Sequence, residues 1–459
     1  MFSKIWAKIS DAGLDNKLRA YFLKGSVWGF LLQMGLAALT LLTSLLIARW
    51  AGDAEFGAYS AVSNWVSLWA MLILAGVDDL LIKQIPIYQQ TDNQLFTRKL
   101  FRWAWVYSAL FFAVFSLGLI ILLEFNLVEN WVGNKPLLYL GLLVLFFYTQ
   151  IFIFQAAFRG FKSVKNAQLG DKIIQPLLFF VLLAGFLPFF QLTDFWAMLF
   201  RLASLAIAAL VIYYLLRKKY SFLFVKNVRN QEESGKKGLN TEQKIWKKTS
   251  FYFMLISFLY AVNSRADVAA LDLLRVDFAQ IGYYNAAARL SDLLNLPFLV
   301  VSAVAMPIFS QLYHDKNFTK LQTFFTQITF ISFFLSLIGF IFFYFLGNWL
   351  LTWFGTGFVR GYSVLMLGAL SKLLHAFFGA SNYLLMMCGQ EKKATISLII
   401  SVLISVICQI YLIPIWGIEG AAWANLISLL IFELIQAYML WRYVQIRPSV
   451  LAFYSNGKK

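Results

Sequence analysis

Charge, cysteine and histidine are scarce in this sequence, and each shortage excludes a class of function. Charged residues make up 13% of its 459 residues, where a soluble globular chain carries about 25%. An ordinary soluble protein is therefore excluded. The two cysteines, Cys388 and Cys408, fall in or at the end of apolar runs, and neither His314 nor His375 has a second ligand at metal spacing. No disulfide framework, metal centre or other cofactor is expected. Lys and Arg number 39 against 22 Asp and Glu, but no hydrophilic domain gathers them, so nucleic acid is not an expected partner.

What the chain has in excess is apolar surface, 61% of residues with a mean hydropathy of +0.71. Crossing a hydrocarbon core of about 30 Å takes about 20 helical residues, and runs of that kind recur throughout. Twelve spans are predicted: 25 to 48, 57 to 77, 103 to 123, 136 to 158, 173 to 190, 195 to 216, 249 to 270, 281 to 310, 322 to 346, 362 to 387, 394 to 413 and 419 to 440. The first exceeds the roughly 7 to 15 residues of a secretory h-region and is read as a retained span. Ahead of it, Ile5, Trp6 and Ile9 among Lys4 and Lys8 predict an interfacial anchor. Residues 78 to 99 could include another.

The span count is tested by the placement of Lys and Arg, which cytoplasmic loops retain and translocated loops do not. Taken from the N-terminus, alternate exposed segments hold 31 basic residues and the intervening ones 4, leaving Arg201, Arg265, Arg289 and Lys372 inside spans. A missed span would scramble that alternation. Both termini are accordingly expected in the cytoplasm.

The expected domains are an N-terminal six-helix bundle at 1–216, a basic cytoplasmic linker at 217–248 and a C-terminal six-helix bundle with a cytoplasmic tail at 249–459. Six crossings per half leave duplicated halves in the same orientation, related by an axis along the membrane normal. A repeat is visible: FGAYSAVSNWVSL at 56 to 68 aligns without gaps on IGYYNAAARLSDL at 281 to 293, an offset of 225, pairing Gly57 with Gly282 and Tyr59 with Tyr284.

The segments ARWAGDAEFGAYS (48 to 60), RADVAALDLLRVDFAQIGYYNAAARL (265 to 290) and YLIPIWGIEGAAWANLIS (411 to 428) resemble the polysaccharide transporter family of bacterial oligosaccharide-lipid flippases. That family lies in the multidrug/oligosaccharidyl-lipid/polysaccharide exporter superfamily. The resemblance implies an all-α polytopic fold of two pseudo-symmetric six-helix bundles forming a V-shaped central cavity. It implies alternating access that carries undecaprenyl-diphosphate-linked oligosaccharides from the inner to the outer leaflet of the bacterial cytoplasmic membrane, for O-antigen, capsule or exopolysaccharide synthesis. Polysaccharide polymerases and glycosyltransferases are the partners implied, and a chain holding both bundles is expected to work as a monomer.

Charges inside spans carry the functional expectation, since each costs about 2.5 to 3.5 kcal/mol at a helix centre without a partner or water. Asn285, Arg289 and Asp292, at i, i+4 and i+7, share one face of the eighth span. Lys372 and His375 share a face of the tenth, with Asn382 two turns beyond His375. Arg201, Arg265, Arg289, Lys372 and Asn285 are the expected substrate-binding residues, guanidinium forks and an ammonium facing a diphosphate. The competing possibility is structural pairing of Arg289 with Asp292 and of Arg265 with Asp272 or Asp267. Arg201 and Lys372 have no acid three or four residues away.

Asp267, Asp292 and Glu433 are candidates for coupling to H+ or Na+, although Glu433, near the inner end of its span, reads more readily as a solvated residue. Asp78 and Asp79 fit a plain helix end. Pro297 and Pro307 interrupt the eighth span and are gating candidates, whereas the equivalent second span has no proline and is expected to bend less. No catalytic residue is assigned.

Two other functions fit the composition. A cation-coupled multidrug exporter would share the architecture, but the first span, Gly25 to Ala48, contains no carboxylate to hold a cationic drug. A membrane glycosyltransferase, polymerase or ligase could use Asp53 and Glu55 as an acidic metal motif. Its outer loops would have to hold a sugar acceptor, and here they are short.

Overall fold

The computed structural model describes residues 16–91, 93–125, 135–187, 191–224 and 236–450, and among them every regular element is helical. In chain order the helices are α1 (Asn16–Ala51), α2 (Asp53–Leu74), α3 (Val77–Gln90), α4 (Gln94–Glu124), α5 (Lys135–Gly160), α6 (Val164–Leu169) and α7 (Gln175–Phe186). There follow α8 (Asp194–Lys219), α9 (Lys236–Leu273), α10 (Phe278–Asp292), α11 (Leu296–His314), α12 (Phe318–Thr352), α13 (Tyr362–Phe378), α14 (Ser381–Met387) and α15 (Glu391–Met439). The expected N-terminal anchor, the centre of the basic linker and the end of the C-terminal tail lie outside the described residues.

Among the described residues, ten helices are long and apolar enough to cross a membrane. They become twelve crossings for two reasons. The eighth predicted span is divided between α10 and α11 and is not among the ten. The continuous helix α15 holds two spans, because Gly417 inside it has φ 56° and ψ −130°, a backbone that glycine tolerates and other residues resist. Ser401 Oγ donates to the Ser428 carbonyl and Gln436 Nε2 to Ser397 Oγ, each at 3.2 Å. Pairs that grow farther apart in sequence away from Gly417 define two antiparallel limbs. Gly420 sits directly against the Leu412 backbone, where a Cβ has no room.

The second span of each half is broken, by different chemistry. Between α10 and α11 lies a 3-10 turn, Leu293–Asn295, with Pro297 in the first turn of α11; Pro307 falls within α11. A neighbouring hydroxyl takes up one interrupted carbonyl: Ser336 Oγ donates to the Leu294 carbonyl at 3.1 Å. Between α2 and α3, where proline is absent, Ala75 (φ 48°) and Gly76 (φ 69°) both turn left-handed. The Ala75 carbonyl accepts from Ser250 Oγ, and Gly76 packs on the α9 backbone at Ser250 and Met254. Freed polar backbone at membrane depth is tolerable only with such partners. At the repeat offset the first break maps to 300–301, so that of the second half lies about two turns closer to the N-terminal end of its span.

Internal contacts divide the chain into two compact units, Leu46–Arg265 and the residues from Ala266 onward together with α1 up to Leu45. In the first unit Trp246, 0% exposed, donates from Nε1 to Tyr88 Oη at 2.8 Å, and Tyr88 donates to Glu242 Oε2 at 2.7 Å. The basic hydrophilic stretch thus ends in a packed helix. In the second unit Phe309, Phe324 and Phe325 form a buried cluster with Leu384 and Leu385, joining α11, α12 and α14.

Candidate functional site

In the second unit, α10 and α13 approach closely because glycine lines the contact. A Cβ on Gly361 would stand 2.8 Å from the Tyr283 carbonyl oxygen, and one on Gly368 2.7 Å from Ser291 Oγ. Small residues at such spacing let membrane helices touch through backbone. The next turns of the same α13 face carry Lys372 and His375.

Lys372 Nζ lies 2.9 Å from Asp292 Oδ1, the last residue of α10 before the break. The Lys372 side chain is 29% exposed and that of Asp292 65%. The expected uncompensated ammonium is therefore paired, by an acid from a different helix. Asp267 also lies within electrostatic reach of Lys372.

Asp267 is gripped from two sides. Tyr284 Oη donates to its Oδ2 at 2.6 Å, and Asn425 Nδ2 donates to the same oxygen at 2.9 Å and to Tyr284 Oη at 3.0 Å. Three spans thus meet on one carboxylate: α9, α10 and the second limb of α15. Asn285, one residue from Tyr284, donates to the Ile281 carbonyl of its own helix at 3.0 Å.

Glu433, expected near solvent, is 1% exposed, and its Oε1 stands 2.5 Å from His375 Nδ1. The His375 ring rests 4.1 Å from the Phe298 ring, centroid to centroid, at the start of α11. A buried carboxylate needs such a partner, since desolvation otherwise outweighs any other attraction. The stripe expected to continue to Asn382 ends at Gly379, whose φ of 73° separates α13 from α14; Asn382 Oδ1 instead accepts from Gln436 Nε2 at 3.1 Å.

In the first unit, the Arg201 guanidinium lies over the Tyr59 ring, 5.9 Å from its centroid. Arg265 is exposed, and its carbonyl accepts from Asn64 Nδ2 at 2.9 Å. Among the described residues no carboxylate stands within ion-pair distance of either guanidinium. Glu55, half of the acidic pair that could mimic a transferase motif, accepts at Oε2 from the Asp194 backbone N–H at 2.7 Å. That contact caps the start of α8. Asp79 Oδ2 accepts from Ser257 Oγ at 3.0 Å.

Reasoning from charge alone missed Tyr59, Tyr284 and Asn425. The signal was present, since both tyrosines sit in the repeat and Asn425 in the Gly-x-x-Gly-Ala-Ala segment. It also missed Gln155, fully buried, which donates from Nε2 to Asp171 Oδ1 at 2.9 Å on a π-helical turn, Gly170–Ile174.

The fold is that of a polytopic helical transporter. The sequence profile of polysaccharide biosynthesis proteins matches residues 22–313, well over half the chain, which belongs to that family. No curated protein matches it in sequence. Among solved structures it is similar to an inward-facing multidrug resistance transporter of the MATE family in the MOP superfamily, with TM-score 0.71 and 15% identity over 92% of this chain and 96% of that one. It is similar to the lipid II flippase MurJ in an inward closed conformation, with TM-score 0.69 and 14% identity over 90% and 87%. A third is a MOP superfamily transporter from Pyrococcus furiosus Vc1, whose reverse binding-pocket polarity suggests a different function, with TM-score 0.63 and 15% identity over 92% and 96%. At such identities the likeness establishes the fold, twelve helices in two bundles.

Proposed function

We propose that this protein is a flippase moving undecaprenyl-diphosphate-linked oligosaccharides from the inner to the outer leaflet of the bacterial cytoplasmic membrane by alternating access, with both termini in the cytoplasm. The observation that carries this reading is the pair of guanidiniums, Arg201 and Arg265, on predicted spans of the first unit, that have no acid at ion-pair distance among the described residues. Buried or lipid-facing cations without an acid are costly, and an anionic headgroup is the ligand that offsets the cost. Membership in a polysaccharide biosynthesis family supports a sugar-bearing lipid over a cationic drug. In the second unit Arg289, Lys372 and Asn285 offer further polar contacts. Asp267, Asp292 and Glu433 supply carboxylates able to take H+ or Na+, and the breaks at Ala75–Gly76 and at Leu293–Asn295 with Pro297 and Pro307 supply points of bending.

The test is leaflet translocation in vesicles reconstituted with the purified protein and a labelled diphosphate-linked oligosaccharide. Arg201→Gln with Arg265→Gln should abolish protection of the label from an external reagent while insertion is retained. Full translocation by that double variant refutes the assignment. Dissipating the proton and Na+ gradients separately decides coupling, and indifference to both leaves facilitated movement.

A further inference from the structure

We propose that Asp292 is a tethered counter-anion: it occupies Lys372 in the empty protein and yields it to the substrate's diphosphate. The proposal rests on the flippase reading and assigns Asp292 a role distinct from ion coupling. Three observations on the second unit carry it.

The first is exposure at depth. Asp292 lies about 16 Å along its helix from Ile281, where the predicted span begins, near the middle of a core of about 30 Å, yet its side chain is 65% exposed. An ionised carboxylate at that depth faces water rather than acyl chains. The pair therefore sits on a wetted surface that a headgroup can reach.

The second is strength. At 2.9 Å the ion pair is formed, but a pair with one partner mostly in water is weak and screened. Contrast Glu433, 1% exposed against His375, which no lipid headgroup reaches. A diphosphate brings more charge and more acceptor oxygens than one carboxylate, and so wins the ammonium by exchange.

The third is that the fold does not require the pair. At the repeat offset Asp292 corresponds to Ser67, and the region equivalent to Lys372, residues 143–147, reads LVLFF. The first half closes its helices without any such bridge. The pair is an addition to the second half, placed where α10 breaks.

A tethered anion keeps the ammonium solvated and neutralised between cycles and lowers the affinity for diphosphate, so that the lipid is released. Binding of geranylgeranyl diphosphate to the purified full-length protein at low salt tests this, with geranylgeraniol reporting tail binding alone. Asp292→Asn should tighten diphosphate binding by about 2- to 5-fold, and Lys372→Gln should weaken it by about tenfold. In the Lys372→Gln background, Asp292→Asn should change nothing. Asp292→Glu, which keeps the charge, should bind as wild type, and thermal melting verifies that each variant is folded. Folded Asp292→Asn protein with unchanged or weaker binding overturns the proposal. Wild-type protein that binds the alcohol as well as the diphosphate overturns the diphosphate reading itself, a separate outcome.

Discussion

Tyr59 and Tyr284 occupy the same position of an internal repeat, 225 residues apart, and serve groups of opposite charge. Tyr59 offers its ring face to the Arg201 guanidinium, whereas Tyr284 donates its hydroxyl to the Asp267 carboxylate. Their partners from the last span of each half, Arg201 and Asn425, are themselves 224 residues apart. One scaffold has been used twice, once to hold a cation and once an anion.

The Arg201 contact uses the ring face, so the tyrosine hydroxyl is dispensable. Tyr59→Phe should bind geranylgeranyl diphosphate as wild type does. Tyr59→Leu should weaken it by roughly 2- to 30-fold, the range of a cation–π contact of about 0.5–2 kcal/mol. Equal loss in both variants shows that the ring is not what positions Arg201.

At Asp267 the hydroxyl is what matters. Tyr284→Phe removes a charge-assisted bond and should lower unfolding free energy by about 1.5–3 kcal/mol. In an Asp267→Asn background the bond is neutral, and the same change should cost about 1 kcal/mol or less. A double-mutant cycle on thermal or denaturant unfolding in detergent reads the difference. A cycle that sums to zero dissolves the link.

The crossings were legible because hydropathy and basic-residue alternation report on the solvent, and lipid is a uniform one. Partners across helices were not. Lys372 has no acid three or four residues away in sequence, and only the glycine-lined contact of α10 with α13 brings Asp292 to it. Glu433 read as solvated because it lies near a span end, while its neighbour His375 comes from a helix 58 residues earlier. The break at Pro297 was visible. That at Ala75 and Gly76 was not, since a left-handed alanine has no sequence signature comparable to proline.

The His375–Glu433 pair is a case where removing one partner is worse than removing both. His375→Ala strands a carboxylate that is 1% exposed and should cost about 3–5 kcal/mol. Adding Glu433→Gln to that variant should recover a large part of the loss, because an amide is cheaper to bury than an ion. Thermal unfolding of the four proteins measures it. His375→Ala melting with wild type contradicts the burial of the pair.

Helix approach at Gly361 and Gly368 underlies both the packing and the Lys372–Asp292 bridge. Gly361→Ala puts a methyl 2.8 Å from the Tyr283 carbonyl oxygen, which is backbone and cannot turn aside. Gly368→Ala meets Ser291 Oγ at 2.7 Å, a side chain with some freedom to rotate. Overpacking of this kind costs about 1–3 kcal/mol, so Gly361→Ala should lie toward the upper end and Gly368→Ala toward the lower. Gly118→Ala is the control: nothing lies within 4 Å of its added Cβ, and gain of helix propensity should leave it neutral or stabilise it by up to about 1 kcal/mol. If the approach also sets the bridge, Gly368→Ala should shrink the effect of Asp292→Asn on diphosphate binding, because a pair already pulled apart has little left to lose. An undiminished Asp292→Asn effect in folded Gly368→Ala protein would mean that Lys372 finds Asp292 through its own reach rather than through the glycine contact.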